Sequence, residues 1–359
     1  MTAYTPSNAY IIQRIPASPG NVSHTINCDA IPVDVPCFVA FGGELTYCDR
    51  FANSYAKTLE TALRENGIPG QNIYSVVYEF GSLDSSLERA NLFRKAGRKL
   101  TLSSHAKTNR NRENNLLVMN ENEPTPNYVI QLYNILLRPR ICDNQNKRIQ
   151  CADAINRMGR IKFYAHCHGA VAIFQMANYM FGEMLNFGYT DDEIKQVMKS
   201  LLVVQHSPLA PLENAKFTTI SFASAEDVML NHHNNFTKYI FNNSADIVPS
   251  FFEEPMGNLM IAGKLKNTIA GEHDHLGLTK EFFVGKYLTD DGKLLFSAER
   301  NAIVRAAQHS VRGGKLPTAA ELISDENIDF NQLKRSGDFI SRIMLSDLRK
   351  QNPKHVHQK

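Results

Sequence analysis

His166, Cys167 and His168 stand in a row inside IKFYAHCHGAVAIF (161–174), with an apolar run before them and small residues behind. A cysteine between two histidines fits three chemistries: a metal cluster, a nucleophile at a strand-to-helix turn, or an ordinary buried thiol. A metal centre needs more than this. Alternate residues in a tight turn diverge, and no third or fourth ligand follows at a familiar spacing. The flanks favour a nucleophile. IKFYAH reads as a strand, Gly169 and Ala170 permit a cramped backbone, and the helical segment that follows aims its N-terminus at the turn. The five-residue box Ala165-His166-Cys167-His168-Gly169 stands where G-x-S-x-G is usual, with cysteine for serine and alanine for the first glycine. A thiol at a helix N-terminus beside an imidazole has a lowered pKa and a useful thiolate fraction. The inert buried cysteine stays open as the alternative.

A cysteine nucleophile needs a base, and the base needs an acid to orient it. Asp246 follows the apolar run KYIF within KYIFNNSADIVP (238–249), which puts a carboxylate just past a candidate strand. His275 comes later in Asp274-His275-Leu276, and His273, two residues earlier, is the alternative base. On these three segments, in this order, the chain resembles the α/β-hydrolase superfamily and within it the class 3 (fungal-type) lipases. Those enzymes carry a G-H-S-L-G-G elbow, a catalytic acid in D-I-V-P, and a catalytic histidine often followed by leucine. The resemblance runs from about Cys37 to Lys286 and implies a triad of Cys167, His275 and Asp246. It also implies an oxyanion hole built from the amides near Gly43 or Glu44 and at His168. One departure is visible there: Gly42-Gly43-Glu44 follows the strand CFVAF where those lipases place Arg-Gly-Ser.

The elements that must position these residues are legible as an alternation of strands and helices. CFVAFGG (37–43), IYSVVYEFG (73–81), IKFYAH (161–166), SLLVVQH (200–206), TTISFAS (218–224), KYIFNNS (238–244) and NLMIAGKLKNTIAG (258–271) read as strands. Helical periodicity lies between them, from Asp49 as N-cap to Gly67 as stop, in YVIQLYNILLRPR, in ADAINRMG and in GAVAIFQMANYMFGEML. The expected fold is a three-layer α/β-hydrolase-like domain with a mainly parallel central sheet over residues 37–290. Residues 1–36 read as an irregular lead-in. Residues 291–359 read as a helical C-terminal appendage, with Leu333, Phe339, Ile340, Ile343, Met344 and Leu348 on one face of its last helix. Between 82 and 127 the hydrophobic rhythm fades while Arg94, Lys95, Arg98, Lys99, Lys107, Arg110 and Arg112 accumulate. This is an insertion: either a solvated excursion, or a lid or docking surface through 94–112 for an anionic partner or membrane.

Composition narrows the classes. Of 359 residues, 43% are hydrophobic and 21% charged, and the formal charge of +3 is too small a surplus to argue for nucleic acid. Six cysteines occur without a C-x-x-C pair, which speaks against a zinc ribbon and a disulfide framework. The first 25 residues lack the pattern of a signal peptide, and no run approaches roughly 18 apolar residues. The three N-x-[ST] matches at Asn21, Asn235 and Asn242 then carry no weight. Cytoplasmic residence is the expectation, or export by a route without a Sec signal. The expected activity is acyl hydrolysis of an ester, thioester or amide, lipid substrates included, through a thioester on Cys167, with no metal or organic cofactor. Two alternatives stand beside it: an acyltransferase with the same triad, and a non-catalytic binding protein on this fold, such as a bacterial effector.

Overall fold

The chain joins the sheet earlier than its hydropathy announces. A computed structural model describes residues 9–17, 22–43, 46, 49–68, 71–78, 125–206, 217–224, 259–263, 290–313, 316–317 and 321–322. In it β1 (Tyr10–Ile15) and β2 (His24–Cys28) form an antiparallel hairpin, so the stretch read as an irregular lead-in contributes two strands. Their polarity hid them. β2 is an edge strand with mostly exposed residues and no apolar run. β1 carries Arg14 next to its last residue, and that side chain is buried against Glu60 while donating to Asn53 Oδ1 and Ser23 Oγ, each at 2.9 Å.

The remaining elements are β3 (Cys37–Phe41), α1 (Asp49–Glu65), β4 (Asn72–Val77), α2 (Asn127–Leu136) with a 3-10 turn at Arg138–Arg140, α3 (Cys151–Arg160), β5 (Ile161–His166), α4 (His168–Asn186), α5 (Asp191–Lys199), β6 (Leu202–His206), β7 (Thr218–Ser224), β8 (Leu259–Gly263) and α6 (Asp290–Arg312). The described strands make one eight-stranded sheet in the order β2-β1-β4-β3-β5-β6-β7-β8. β1 runs antiparallel to both its neighbours, and every pairing from β4 through β8 is parallel. The mainly parallel three-layer α/β arrangement expected from the sequence is the one observed.

β3 and β5 lie centrally and are buried along their whole length, which is why they read as unbroken apolar runs rather than alternating ones. Successive side chains still divide by face. Cys37, Val39, Phe41, Phe163 and Ala165 pack with Val129, Leu132, Met158, Val171 and Met176 of the layer formed by α2 to α5. Phe38, Ala40, Tyr164, Val204 and Phe222 pack on the opposite side with Ala56, Leu59 and Leu63 of α1 and with Ala302, Ile303 and Ala306 of α6. α6 is thus a layer of the fold rather than an appendage, because its small side chains let it lie close on the sheet. α5 begins with a capping box in which Thr190 and Glu193 satisfy each other's backbone N–H groups.

The strand expected over 238–244, the amphipathic helix expected after residue 330, and the insertion up to residue 124 lie outside the described residues. No described helix is long and apolar enough to cross a membrane.

Candidate functional site

β5 ends at His166 and α4 begins at His168, so Cys167 alone makes the turn. Its backbone takes φ 55° and ψ −121°, in the left-handed half of conformational space that residues with a β-carbon rarely adopt. Among the described non-glycine residues it shares a positive φ only with Asn146, which sits in a surface turn. The strain is held in place from both sides. The Cys167 N–H donates to the His206 carbonyl at 3.2 Å, and the Cys167 carbonyl accepts from the Ala170 N–H at 3.2 Å. Gly169 lets α4 close onto β3: a β-carbon there would lie 2.3 Å from the Phe41 carbonyl oxygen. The Cys167 side chain is 6% exposed, and its Sγ lies 3.5 Å from Nδ1 of His168. His168 is itself buried rather than solvent-facing.

The loop after β3 lies against this turn. A β-carbon on Gly43 would sit 3.2 Å from Cys167 Cβ and 3.6 Å from its Sγ. Thr46 closes the loop by donating its N–H and Oγ1–H to the Gly43 carbonyl at 3.1 and 2.6 Å. The Tyr78 hydroxyl donates to the Gly42 carbonyl at 2.5 Å, and its ring stacks on Tyr128. The Gly43 N–H donates to the Tyr55 hydroxyl at 3.3 Å.

A polar network lies beneath the turn, on the α1 and α6 side of the sheet. The Tyr55 hydroxyl is 2.8 Å from His166 Nδ1, and the His166 and His206 rings are 5.8 Å apart between centroids. His206 Nδ1 faces Glu299 Oε2 at 3.0 Å, while the Tyr164 hydroxyl donates to Glu299 Oε1 at 3.2 Å. The Glu299 side chain is fully buried, so its carboxylate has exchanged water for these two donors. Burial drives the Tyr55, Tyr78 and Tyr164 phenols well above their ordinary range, and all three keep their protons.

The other described thiols are poorly suited to attack. Burial is the first cause that pushes Cys28, Cys142 and Cys151 up, and it carries Cys37 to about 11. Reactivity follows the thiolate, so these cysteines should be sluggish near neutral pH.

Of the residues expected at the site, Cys167, His168 and Gly43 come together at the carboxyl ends of β3 and β5. Glu44, Asp246, His273 and His275 lie outside the described residues. His206, the last residue of β6, lies at the turn and accepts the Cys167 N–H on its carbonyl. Tyr55, Tyr164 and Glu299 were not anticipated. The legible signal for Glu299 was a carboxylate on the apolar face of its helix, in line with Ala302, Ile303 and Ala306.

No family model matches the chain, and no curated protein matches it. Two solved structures from Lactobacillus plantarum WCFS1, each provisionally described as a carboxylesterase, are similar in shape. One is 11% identical with a TM-score of 0.34, covering 78% of this chain and 93% of that one. The other is 12% identical with a TM-score of 0.29, covering 77% of this chain and 99% of that one.

Proposed function

We propose that the protein is an acyl-transfer enzyme of the hydrolase type with Cys167 as nucleophile. The observation that carries this reading is the backbone of Cys167, held at φ 55° on a one-residue turn between a central parallel strand and the helix that follows it. An inert core cysteine needs no such conformation, and strain of this kind costs on the order of 1–3 kcal/mol and clusters where a side chain has to be presented.

In the proposed reaction the Cys167 sulfur attacks a carbonyl carbon as its proton passes to His275, or to His273 as the alternative base. Asp246 orients that imidazole and stabilises its cation. The tetrahedral oxyanion takes the His168 amide and an amide of the loop after β3. The Gly43 N–H is given to Tyr55, and the resemblance implies the Glu44 amide as the second donor. Collapse expels the alcohol, thiol or amine, which collects the proton from the histidine and leaves a thioester on Cys167. Water then releases the acid, and an amine or thiol acceptor gives transfer instead. The roles of Asp246, His273, His275 and Glu44 rest on sequence order and resemblance.

The test is labelling of the whole protein followed by intact mass and peptide mapping. Iodoacetamide and p-nitrophenyl acetate should both modify Cys167 first, and Cys167→Ala should abolish ester turnover without loss of fold. Equal slow labelling of all accessible cysteines would remove the nucleophile. If Cys167→Ala is silent while charge reversal at Arg94, Lys95, Arg98 and Lys99 abolishes function, the protein is a binding module on a hydrolase-like sheet.

A further inference from the structure

Tyr55 lies on the inner side of α1, and its hydroxyl stands between two groups of the candidate site. It is 3.3 Å from the Gly43 nitrogen and 2.8 Å from His166 Nδ1. One direction is fixed by chemistry. A backbone N–H can only donate, so the phenol oxygen accepts from Gly43. We assign its single proton to His166, so that Nδ1 is the bare nitrogen and the ring's own proton sits on Nε2. Burial raises the Tyr55 pKa far more than the Gly43 N–H lowers it, and the nearby Cys167 sulfur raises it further, so the phenol keeps its proton to give.

The ring acts on the same loop. A β-carbon on Gly42 would lie 2.4 Å from Tyr55 Cε2 and 2.8 Å from Cδ2, and one on Gly43 would lie 3.2 Å from Cys167 Cβ and 3.3 Å from His166 Nδ1. The Gly42–Gly43 backbone is therefore pressed between Tyr55 on one side and the His166–Cys167 turn on the other.

We infer that Tyr55 is a positioning residue for the oxyanion-binding side of the site: by joining the Gly43 N–H to His166 Nδ1 it holds the loop after β3 against Cys167. The amide of Gly43 is spent in this clamp and is not a donor to the oxyanion. This rests on the acyl-transfer reading for its purpose, but not for its hydrogen bonds.

Two probes separate positioning from mere stability. Iodoacetamide alkylates the sulfur without building an oxyanion, whereas p-nitrophenyl acetate must pass through one. Tyr55→Phe should slow acetylation of Cys167 tenfold or more while alkylation stays within twofold of the wild type. His166→Gln can still accept from the Tyr55 hydroxyl and should keep most of the acetylation rate, and His166→Leu should behave as Tyr55→Phe does. Acetylation of Tyr55→Phe at the wild-type rate overturns the inference, and so does an equal fall with both probes, which is what a purely structural tyrosine would give.

A measurement on the unaltered protein needs no variant to fold. In a ¹⁵N-histidine NMR spectrum near neutral pH, His166 should carry its proton on Nε2 with Nδ1 bare. A proton on Nδ1 reverses the Tyr55–His166 hydrogen bond and overturns the assigned clamp, whether or not the protein acylates. A wild type that shows this tautomer and alkylates at Cys167, yet never acetylates, sinks the acyl-transfer reading and the oxyanion role with it.

Discussion

A β-carbon on Gly169 would lie 2.3 Å from the Phe41 carbonyl oxygen and 2.8 Å from that of Gly42, and both are backbone atoms that cannot swing aside. Gly169→Ala must then push α4 away from β3 or unwind its first turn. Overpacking of this kind costs about 1–3 kcal/mol, and sometimes more. The expected result is a lower denaturant midpoint together with slower alkylation of Cys167, since the helix that holds the turn has moved. An unchanged midpoint would mean that the close approach is not maintained in solution. Gly169 and Cys167 were readable from the sequence because strand, turn and helix are a local grammar of neighbouring residues. Tyr55 was not. It shares the inner stripe of α1 with Ala52, Ala56 and Leu59, where an aromatic residue reads as core. What makes it different is a hydroxyl whose partners lie 12 and 111 residues away in the chain.

Elements matter here by what they carry to the carboxyl ends of the strands. β5 and β6 end side by side, with His166 paired in register to His206. α6 crosses beneath them and delivers Glu299 to His206 and Tyr164 at once. Truncating that carboxylate leaves a buried imidazole N–H and a buried phenol without an acceptor. Leaving a buried donor without its acceptor costs about 1–3 kcal/mol. Glu299→Ala should lower stability by that order in guanidinium unfolding. Glu299→Gln keeps an acceptor oxygen and should lose less. If both variants unfold at the wild-type midpoint, α6 is docked by its alanines and isoleucine alone. The sequence disclosed α6 as a helix from its periodicity but misread it as an appendage, since amphipathicity says that a face is covered and not by what. β1 and β2 escaped for the opposite reason: β2, at the sheet's edge, has no apolar run, and the short run of β1 is broken after Ile12 by Gln13 and Arg14. The fully buried β3 and β5 were legible because nothing polar interrupts them except Lys162.

At the scale of the whole molecule the sheet is chemically polarised. The candidate site occupies the carboxyl ends of the parallel strands, and a second buried polar cluster occupies the amino ends of β3 and β5. There Arg140 is fully buried and donates to the carbonyls of Leu136, Val33 and Arg157 at 3.0, 3.0 and 2.6 Å. Lys162 donates to the Gly159 carbonyl at 2.6 Å. Desolvation, the largest cause, lowers the Lys162 amine to about 7, with the neighbouring Arg140 pushing the same way and Cys37 opposing. Below that pH both folded and unfolded chains hold the proton, and the fold bears the full cost of a buried cation. As pH rises through 7 the folded amine releases its proton while the unfolded one, near 10.5, still binds it. The unfolded state then binds more protons, so stability must rise with pH. Cys37 acts in the reverse sense from 9 upward, because its thiol stays protonated in the fold to about 11 while the unfolded thiol ionises. The window for Lys162 alone is therefore pH 7 to 9, the span between its folded value and the ordinary thiol value. At ~1.4 kcal/mol per pH unit for one proton, the gain across it is at most roughly 2–3 kcal/mol. Urea unfolding of the wild type and of Lys162→Met, compared at several pH values, isolates this contribution from every other titrating group. The difference between the two curves should grow in favour of the wild type from pH 7 to 9 and level off below 7. Parallel curves would mean that Lys162 stays charged inside the sheet, held by more than the Gly159 carbonyl.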